Sequence, residues 1–162
     1  MATELTTFTS KWVLWYFDPR NKEWTLPNYT VLSEIETPQQ FWSILTNIPK
    51  EAFECGYFFF MKKGIRPIWE VPENANGGSW SKKVLTTDIS EIITELMVHC
   101  VCETMMSIPG LVGFSTSPKG DHNVIKIWNV SSVQTSTKLL NNKIKCFPIT
   151  QEIVYTAHKS RR

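Results

Sequence analysis

Apolar and aromatic residues recur along the chain in short runs, several with the alternation of a strand, which predicts a protein built mainly from β-strands. These runs cover residues 11–17, 29–35, 56–61, 79–85, 111–117, 123–129 and 152–155. A turn around Lys119-Gly120 joins the fifth run to the sixth and predicts a hairpin. In the first run, Trp12 and Trp15 fall on opposite faces of the strand.

Thr37, Pro38 and Gln40 carry the signal for the start of a helix. A threonine N-cap, a proline at the first helical position and a glutamine at the third form a capping box, which predicts a helix over residues 38–47. Trp42 lies at the edge of the apolar stripe of this helix. Two interpretations of Trp42 are open: it fills the margin of the core, or it anchors a helix of another protein.

A longer helix follows Asp88 and Glu91, which are spaced like a second capping box. Its apolar stripe is typical of a helix packed on a core and consists of Ile89, Ile92, Ile93, Leu96, Met97 and Val101. Cys100 and Cys102 lie in the same pattern, and we expect both to be buried free thiols. A weaker pattern predicts a short helix over residues 132–141.

Strands outnumber helices and do not alternate with them, which predicts an α+β fold. We expect a single curved antiparallel β-sheet backed by about three α-helices on one face. The 162 residues suit one domain, whose ends, residues 1–9 and 159–162, are expected to be flexible. The opposite face of the sheet would hold the loops that carry Trp24 and Trp69.

The composition is that of a chain with a packed core, with 42% hydrophobic and 20% charged residues, but seven tryptophans exceed what such a domain ordinarily needs. Residues 118–162 hold eight Lys/Arg and two Asp/Glu, whereas residues 1–117 hold nine and thirteen. The basic C-terminal third indicates a phosphate-bearing partner, or else a solvated face with a basic tail.

Several classes of function are disfavoured by what the sequence lacks. The four cysteines have no CxxC spacing, which argues against a zinc site, and no nucleophile–base pair or phosphate-cradling glycine loop is present. We therefore expect a binding protein and not an enzyme, with no cofactor and no metal. Without a signal peptide or a membrane-spanning apolar run, we expect a reducing compartment and a cytoplasmic location.

Residues 64–80 contain the pair Trp69-Glu70, which is flanked by Pro67 and Pro72. Proline removes a backbone donor and fixes φ, so this stretch is predicted to be an ordered loop and not a long helix. The loop places a flat indole beside a carboxylate. That pair suits a planar, electron-poor ring with N–H donors on its edge, because the indole stacks and the carboxylate accepts two parallel hydrogen bonds.

Two further tryptophans are candidates for ligand contact. Trp24 follows only polar residues and is predicted at a loop tip, where a tryptophan contacts a ligand or a partner more often than it fills a core. Lys126 and Trp128 are two residues apart and project from one face of their strand. They would serve a base and its phosphate together, or form a solvated edge.

The motifs KWVLWYF, NKEW, TPQQFW, GIRPIWE, NGGSW, KGD and IKIW occur in this order between residues 11 and 128, and the resemblance they carry extends to residue 158. In these motifs the chain resembles the cap-binding translation initiation factors, the four-E family that binds the 7-methylguanosine cap of messenger RNA. The resemblance implies that Trp24 and Trp69 sandwich the methylated guanine and that Trp128 packs on its methyl group. It further implies that Glu70 accepts hydrogen bonds from the N1 and N2 groups and that Lys119 contacts the triphosphate.

The chain departs from the family where the phosphates bind. Ser117 stands where the family has a phosphate-binding arginine, and two extra residues before the IKIW motif displace the next phosphate lysine. The remaining candidates for the triphosphate are Lys126, Lys159, Arg161 and Arg162. The departures predict weaker triphosphate binding, with recognition of the base retained.

The surface that recruits scaffold or inhibitory proteins in the family also departs. Trp42 and Glu95 are retained, whereas Pro38 replaces a valine, Thr94 replaces a leucine and Thr6-Thr7 replaces a His-Pro segment. Two cap-binding alternatives follow: an ordinary initiation factor, or a divergent regulatory homologue, viral or parasite-encoded, with altered recruitment of a scaffold protein. A third alternative is an aromatic cage for a methylated amine, which needs no phosphate contacts.

Overall fold

The chain folds around seven antiparallel strands in the computed structural model, which describes residues 6–150 and 152–161. The strands are β1 Trp12–Phe17, β2 Tyr29–Ile35, β3 Tyr57–Lys62, β4 Gly78–Leu85, β5 Leu111–Pro118, β6 His122–Asn129 and β7 Val154–Ala157. Their order across the sheet is β2-β1-β3-β5-β6-β4-β7. The predicted strands and the β5–β6 hairpin are confirmed, with the last strand shifted by two residues.

Four α-helices accompany the sheet in the described part of the chain. They are α1 Pro38–Asn47, α2 Lys50–Cys55, α3 Pro72–Ala75 and α4 Ile89–Val101. The predicted capping box of α1 is confirmed: the Gln40 backbone N–H donates to Thr37 Oγ1 over 3.2 Å, and Gln40 Oε1 accepts from the Thr37 N–H over 3.2 Å. The first helix therefore starts where local side-chain chemistry dictates.

The two faces of the sheet are buried by different groups of residues. Side chains from α1, α2 and α4 pack with Trp12, Phe60 and Trp80 of one face into the main core. The other face has a smaller aromatic cluster that includes Phe17 and Trp128. Since Trp12 belongs to the first cluster and Trp15 packs against the second, their predicted placement on opposite faces is confirmed.

The third helix was predicted in the wrong place. Residues 132–141 form no α-helix and contain only a 3₁₀ turn, Thr137–Leu139. Hydrogen bonds from the sheet hold this segment irregular, because its Gln134 carbonyl accepts from Asn129 Nδ2 at the end of β6 and its Thr135 carbonyl accepts from Trp80 Nε1 of β4. The sequence interpretation missed two short helices: α2, which is six residues long and has Pro49 as its N-cap without a capping side chain, and the four-residue α3, which lies within the predicted loop.

Two local predictions on α4 are also wrong. The Asp88 side chain makes no capping bond, because the 3₁₀ turn Thr86–Asp88 leads into α4 and gives Asp88 a helical backbone, φ −95° and ψ −7°. An N-cap side chain needs the extended conformation that Asp88 lacks. Cys100 is buried as expected, but Cys102 follows the last helical residue and is exposed.

The chain ends lie partly outside the described residues, so their predicted flexibility stays a prediction. Residues 1–5 and 162 are among those not described, as is residue 151. Phe8 packs edge-on against Phe41 at 6.3 Å, and its N–H donates to the Glu36 carbonyl. No described helix is both long and apolar enough to cross a membrane.

Candidate functional site

A cavity of about 320 Å³ opens on the sheet face opposite α1, α2 and α4, where the loop after β1 meets the loop after β3. Six residues that the sequence singled out line it together: Trp24, Trp69, Glu70, Lys119, Lys126 and Trp128. Three indoles far apart in the chain, one carboxylate and two ammonium groups therefore share one slot. Ser117, at the position of the family arginine, lines the same cavity.

Trp24 forms one wall of the cavity and is 47% exposed. Its ring stacks on Phe17 with centroids 3.9 Å apart and planes 6° apart, and the edge of Tyr57 supports it at 4.8 Å and 88°. Phe17 pairs with Tyr29 on one side and Tyr57 on the other, so the strand register builds this aromatic seat. Because Phe17 covers one face of the indole, the other face is left for a ligand.

Asn74 builds the loop that carries Trp69. Its side chain is fully buried, and its Nδ2 donates to the Arg66 carbonyl over 2.7 Å and to the Ile68 carbonyl over 2.9 Å. These bonds tie the residues before Trp69 to α3, which follows Glu70 after one intervening residue. A single amide thus holds the loop in the shape that presents the Trp69-Glu70 pair.

An ion pair closes the same loop from outside. Arg66 donates to Glu73 through Nε over 2.8 Å and through Nη2 over 3.1 Å. The hydrogen bonds from the Arg66 guanidinium lower the pKa of Glu73 to about 2. Both side chains are partly exposed, so this pair orients the loop more than it stabilises the fold.

His158 packs near Trp69 and Trp128 and also contacts α3 in the loop that carries Trp69. The ring is buried and lies 5.0 Å from Trp128 and 6.4 Å from Trp69, centroid to centroid. Its Nδ1 lies 2.7 Å from the Asn74 carbonyl oxygen, which can only accept, so the hydrogen is assigned to Nδ1. The His158 backbone N–H donates to the Gly77 carbonyl, which fixes the end of β7 to the start of β4.

Glu70 is exposed and forms no hydrogen bond or ion pair with any residue that the structure describes. Tyr29 is nearby: burial, and secondly the negative charge of Glu70, raise the pKa of Tyr29 to about 12. The Tyr29 phenol therefore stays neutral beside the carboxylate at ordinary pH. Glu70 offers both oxygens to donors on a ligand.

Trp128 and the lysines form the remaining walls. The Trp128 indole is 5% exposed, and its Nε1 donates to Ser115 Oγ over 3.0 Å. Lys126 points to the same face, as the sequence predicts, and Lys119 is exposed in the β5–β6 turn. Two lysines thus line the cavity together with the Trp128 indole.

The other predicted phosphate residues are less well placed by the structure. Lys159 is exposed on the 3₁₀ turn His158–Arg161, beside the buried histidine, and does not line the cavity. The side chain of Arg161 and the whole of Arg162 lie outside the described residues. Their roles therefore stay predictions.

The predicted partner-binding residues lie on and near the helices. Trp42 is 53% exposed, with its ring packed edge-on against Phe41 at 4.9 Å. Pro38 opens α1, and Thr94 donates to the Ser90 carbonyl of its own helix. Glu95 differs, because its carboxylate accepts the backbone N–H groups of residues 145 and 146 over 2.6 and 2.8 Å. Burial raises the pKa of Glu95, but the hydrogen bond from the Cys146 side chain and these backbone hydrogen bonds together outweigh burial and lower it.

Besides Ile68 in the Trp69 loop, the sequence interpretation missed four residues that line the cavity: Tyr29, Tyr57, Phe59 and Ser115. All four lie on strands, and only the pairing of β2, β1, β3 and β5 brings them to one face. The signal that was available is the period of two along a strand. Phe59 and Ser115 each stand between two buried residues, so their side chains point to the opposite face of the sheet.

The comparison with protein-family models places the chain in a known family. The model of eukaryotic initiation factor 4E matches residues 7–162, which is nearly the whole chain, and the chain therefore belongs to this family. Caenorhabditis elegans eukaryotic translation initiation factor 4E-4 is 30% identical over 124 residues, 74% of this chain and 56% of the relative. Saccharomyces cerevisiae eukaryotic translation initiation factor 4E is 28% identical over 145 residues, 84% of this chain and 67% of the relative.

Solved structures share the fold. C. elegans eIF4E-3, in complex with the 4E-binding protein Mextli and a cap analog, superposes with a TM-score of 0.83 at 23% identity over 98% of this chain and 95% of that one. Ascaris suum eIF4E-3 with an m2,2,7G cap gives 0.71 at 21% identity over 81% and 77%. This chain spans about half to two thirds of the length of the first curated relatives it matches.

Proposed function

We propose that this protein binds the 7-methylguanosine cap of messenger RNA in the cytoplasm and acts in translation initiation, in a binding role without catalysis. The observation that carries the proposal is the shared cavity, which the free carboxylate of Glu70 lines together with the rings of Trp24 and Trp69. Family membership over residues 7–162 supports it, and so does the cap analog bound by C. elegans eIF4E-3, which has the same fold.

The base is recognised by its charge and its shape. Methylation at N7 gives guanine a delocalised positive charge, so stacking between Trp24 and Trp69 gains a cation–π contribution that unmodified guanine lacks. Each aromatic face contributes about 1–3 kcal/mol of stacking. Phe17 stacks on the face of Trp24 that points away from the ligand, and this contact restricts rotation of the Trp24 indole.

The edge of the base is read by the loop of Trp69. Glu70 accepts hydrogen bonds from N1–H and the N2 amino group, and the Trp69 backbone N–H donates to O6. Trp128 packs against the N7 methyl group, held in place by its bond to Ser115. Adenine presents neither the N1–H nor the amino group in this arrangement, so Glu70 would select guanine.

The triphosphate extends toward Lys119 and Lys126, with Lys159 and Arg161 as further candidates. Lysines act as point charges and lack the two-pronged geometry of arginine. With Ser117 at the arginine position, the phosphates contribute less affinity and the base contributes more. The same reasoning disfavours the aromatic cage for a methylated amine, because the lysines of this cavity repel a cation that carries no phosphate.

Partner binding is proposed at the exposed Trp42 on α1, which suits a helical motif of a scaffold protein or of a 4E-binding protein. C. elegans eIF4E-3, which has a similar fold, is solved in complex with the 4E-binding protein Mextli. A second candidate is a regulatory homologue with altered recruitment, because Pro38 and Thr94 supply little apolar surface and the Glu95 carboxylate is occupied by backbone donors. Tight binding of a scaffold-derived helical peptide would eliminate this second candidate.

The test of cap binding is retention on a 7-methylguanosine resin. We expect elution by m7GTP but not by GTP. Glu70→Ala is expected to weaken retention by about 1–3 kcal/mol, the range for a lost bidentate contact to a base. Glu51→Ala, which removes an exposed carboxylate from α2, is the matched control and should be retained like the unaltered protein. Equal elution by m7GTP and GTP would reject the proposal.

A further inference from the structure

A second pocket, of about 430 Å³, lies on the same face of the sheet as the candidate cap cavity. Its lining includes Ser81 and Lys83 of β4, Val124 of β6, and Val154 and Glu152 at the start of β7. Val124 has the same orientation as Lys126 and Trp128, because these residues alternate with the buried core residues of β6. The two sites are therefore neighbours on one surface.

Lys126 connects the two pockets. It lines the cap cavity, and in the β4–β6 register it stands opposite Ser81, which lines the second pocket. Lys83 stands opposite Val124, two residues further along the same pair of strands. Positions two apart on one strand face lie about 7 Å from each other. A chain leaving the cap cavity past Lys126 therefore reaches Lys83 within one or two nucleotides.

The edge of β4 is open beside this second pocket. β7 pairs only with residues 78–81 of β4, so residues 82–85 have no strand on that side. Backbone groups alternate between the two sides of a strand, and Thr86 donates toward the β6 side. The N–H and C=O groups of Lys83 and the N–H of Leu85 therefore point to the open edge, where they have no partner among the described residues, whereas the Leu85 carbonyl caps the following 3₁₀ turn.

The chemistry of the second pocket suits RNA better than it suits a protein strand. Lys83 is exposed and forms no ion pair with a described residue, so its ammonium group and the N–H groups of the open edge are available to a phosphate. Val154 is 58% exposed and Leu85 62%, which provides apolar surface for a base or ribose. Glu152 is the one acidic residue that lines the pocket, and it opposes phosphate binding.

We propose that this pocket binds the first nucleotides that follow the cap, with a backbone phosphate on Lys83. The inference rests on the proposed cap binding and extends it from the cap to the RNA body. Two observations favour RNA as the occupant. The pocket continues the cap cavity through Lys126, and the ammonium group of Lys83 complements the negative charge of the phosphates.

The test compares two ligands on one protein. Binding of m7GTP is followed by tryptophan quenching, and binding of a short capped oligonucleotide by fluorescence anisotropy. We expect Lys83→Ala to leave m7GTP affinity unchanged, to weaken capped RNA about threefold at low salt and to reduce the salt slope for RNA by about 0.7. Lys138→Ala removes an equal charge from an exposed 3₁₀ turn beyond either pocket and should change neither ligand.

Glu152→Gln provides a change of the opposite sign, since removal of the acidic charge should strengthen capped RNA binding. Failure of the inference is distinct from failure of the proposed function. If m7GTP binds but Lys83→Ala and Lys138→Ala give the same RNA affinity and salt slope, the second pocket does not hold RNA. If m7GTP does not bind at all, the cap proposal itself is wrong.

Discussion

The replacement Asn74→Ala isolates the loop that presents Trp69 and Glu70. It deletes an amide whose Nδ2 donates to the carbonyls of Arg66 and Ile68, while leaving the backbone of α3 intact. The Asn74 carbonyl, which holds His158, is unchanged. The change therefore removes the tie between the loop and α3 without touching any group proposed to contact the ligand.

The magnitude follows from which groups lose their partners. A buried acceptor without a donor costs about 1–3 kcal/mol, whereas an acceptor that water can reach costs little. Ile68 is half-buried and Arg66 is exposed, so water will replace part of what is lost. The Asn74 Oδ1 is itself buried without a hydrogen-bond partner among the residues that the structure describes, and its removal offsets a further part. We expect a net loss of about 2 kcal/mol in unfolding free energy.

The assay combines urea unfolding with an m7GTP titration. Asn74→Ala should lower the urea midpoint and weaken m7GTP binding, because Trp69 and Glu70 then spend time away from the cavity. Asn76→Ala removes a similar side chain from the exposed end of the same loop, where it makes no side-chain hydrogen bond to any residue in the described part of the chain, and should leave both unchanged. If the two variants behave alike, Asn74 does not hold the loop and the reasoning is refuted.

Two further predictions concern the first helix and the acid side of the pH range. Thr37→Ala removes the capping bond to Gln40 and should lower the unfolding free energy by about 1 kcal/mol with m7GTP affinity unchanged; an unaltered urea midpoint would contradict this. The Glu73 pKa is lowered to about 2 from 4.5, so the stabilisation from its pair with Arg66 is complete above pH 4.5 and is lost as the pH falls toward 2. The order of the loop that carries Trp69 can be followed by tryptophan fluorescence as the pH is lowered. Glu73→Gln should remove the part of the fluorescence change that comes from protonation of Glu73. A fluorescence profile against pH identical to that of the unaltered protein would contradict the role assigned to this ion pair.

Features set by neighbours in sequence were predictable, and features set by distant strands were not. The capping box at Thr37 depends on residues within one turn, so the start of α1 could be predicted to the residue. The Asp88 box looked equivalent, yet the preceding 3₁₀ turn changes the backbone at Asp88, and no local rule reports that turn. Residues 132–141 are irregular because the side chains of Trp80 and Asn129 donate hydrogen bonds to carbonyls in this segment. The tertiary structure determines which carbonyls they reach.

The residues of the candidate site likewise fall into those that local sequence predicts and those that depend on strand pairing. Trp24, Trp69 and Glu70 stand in loops whose composition marks them, and the family resemblance links loops that the sequence separates. Tyr29 and Tyr57 could not be found in this way, because their place beside Trp24 depends on both pairing with Phe17 at the end of β1. The sequence does not mark His158 as a site residue, whereas the structure shows a buried ring near both Trp69 and Trp128.

The central claim is that two indoles from distant loops enclose one methylated purine while a neighbouring carboxylate reads its edge. A crystal structure of the protein with m7GTP tests this claim most directly. We predict electron density for the purine between the rings of Trp24 and Trp69, with N1 and N2 within hydrogen-bonding distance of Glu70. Density for the purine anywhere else on the molecule, with the slot between these two rings open, would contradict the account.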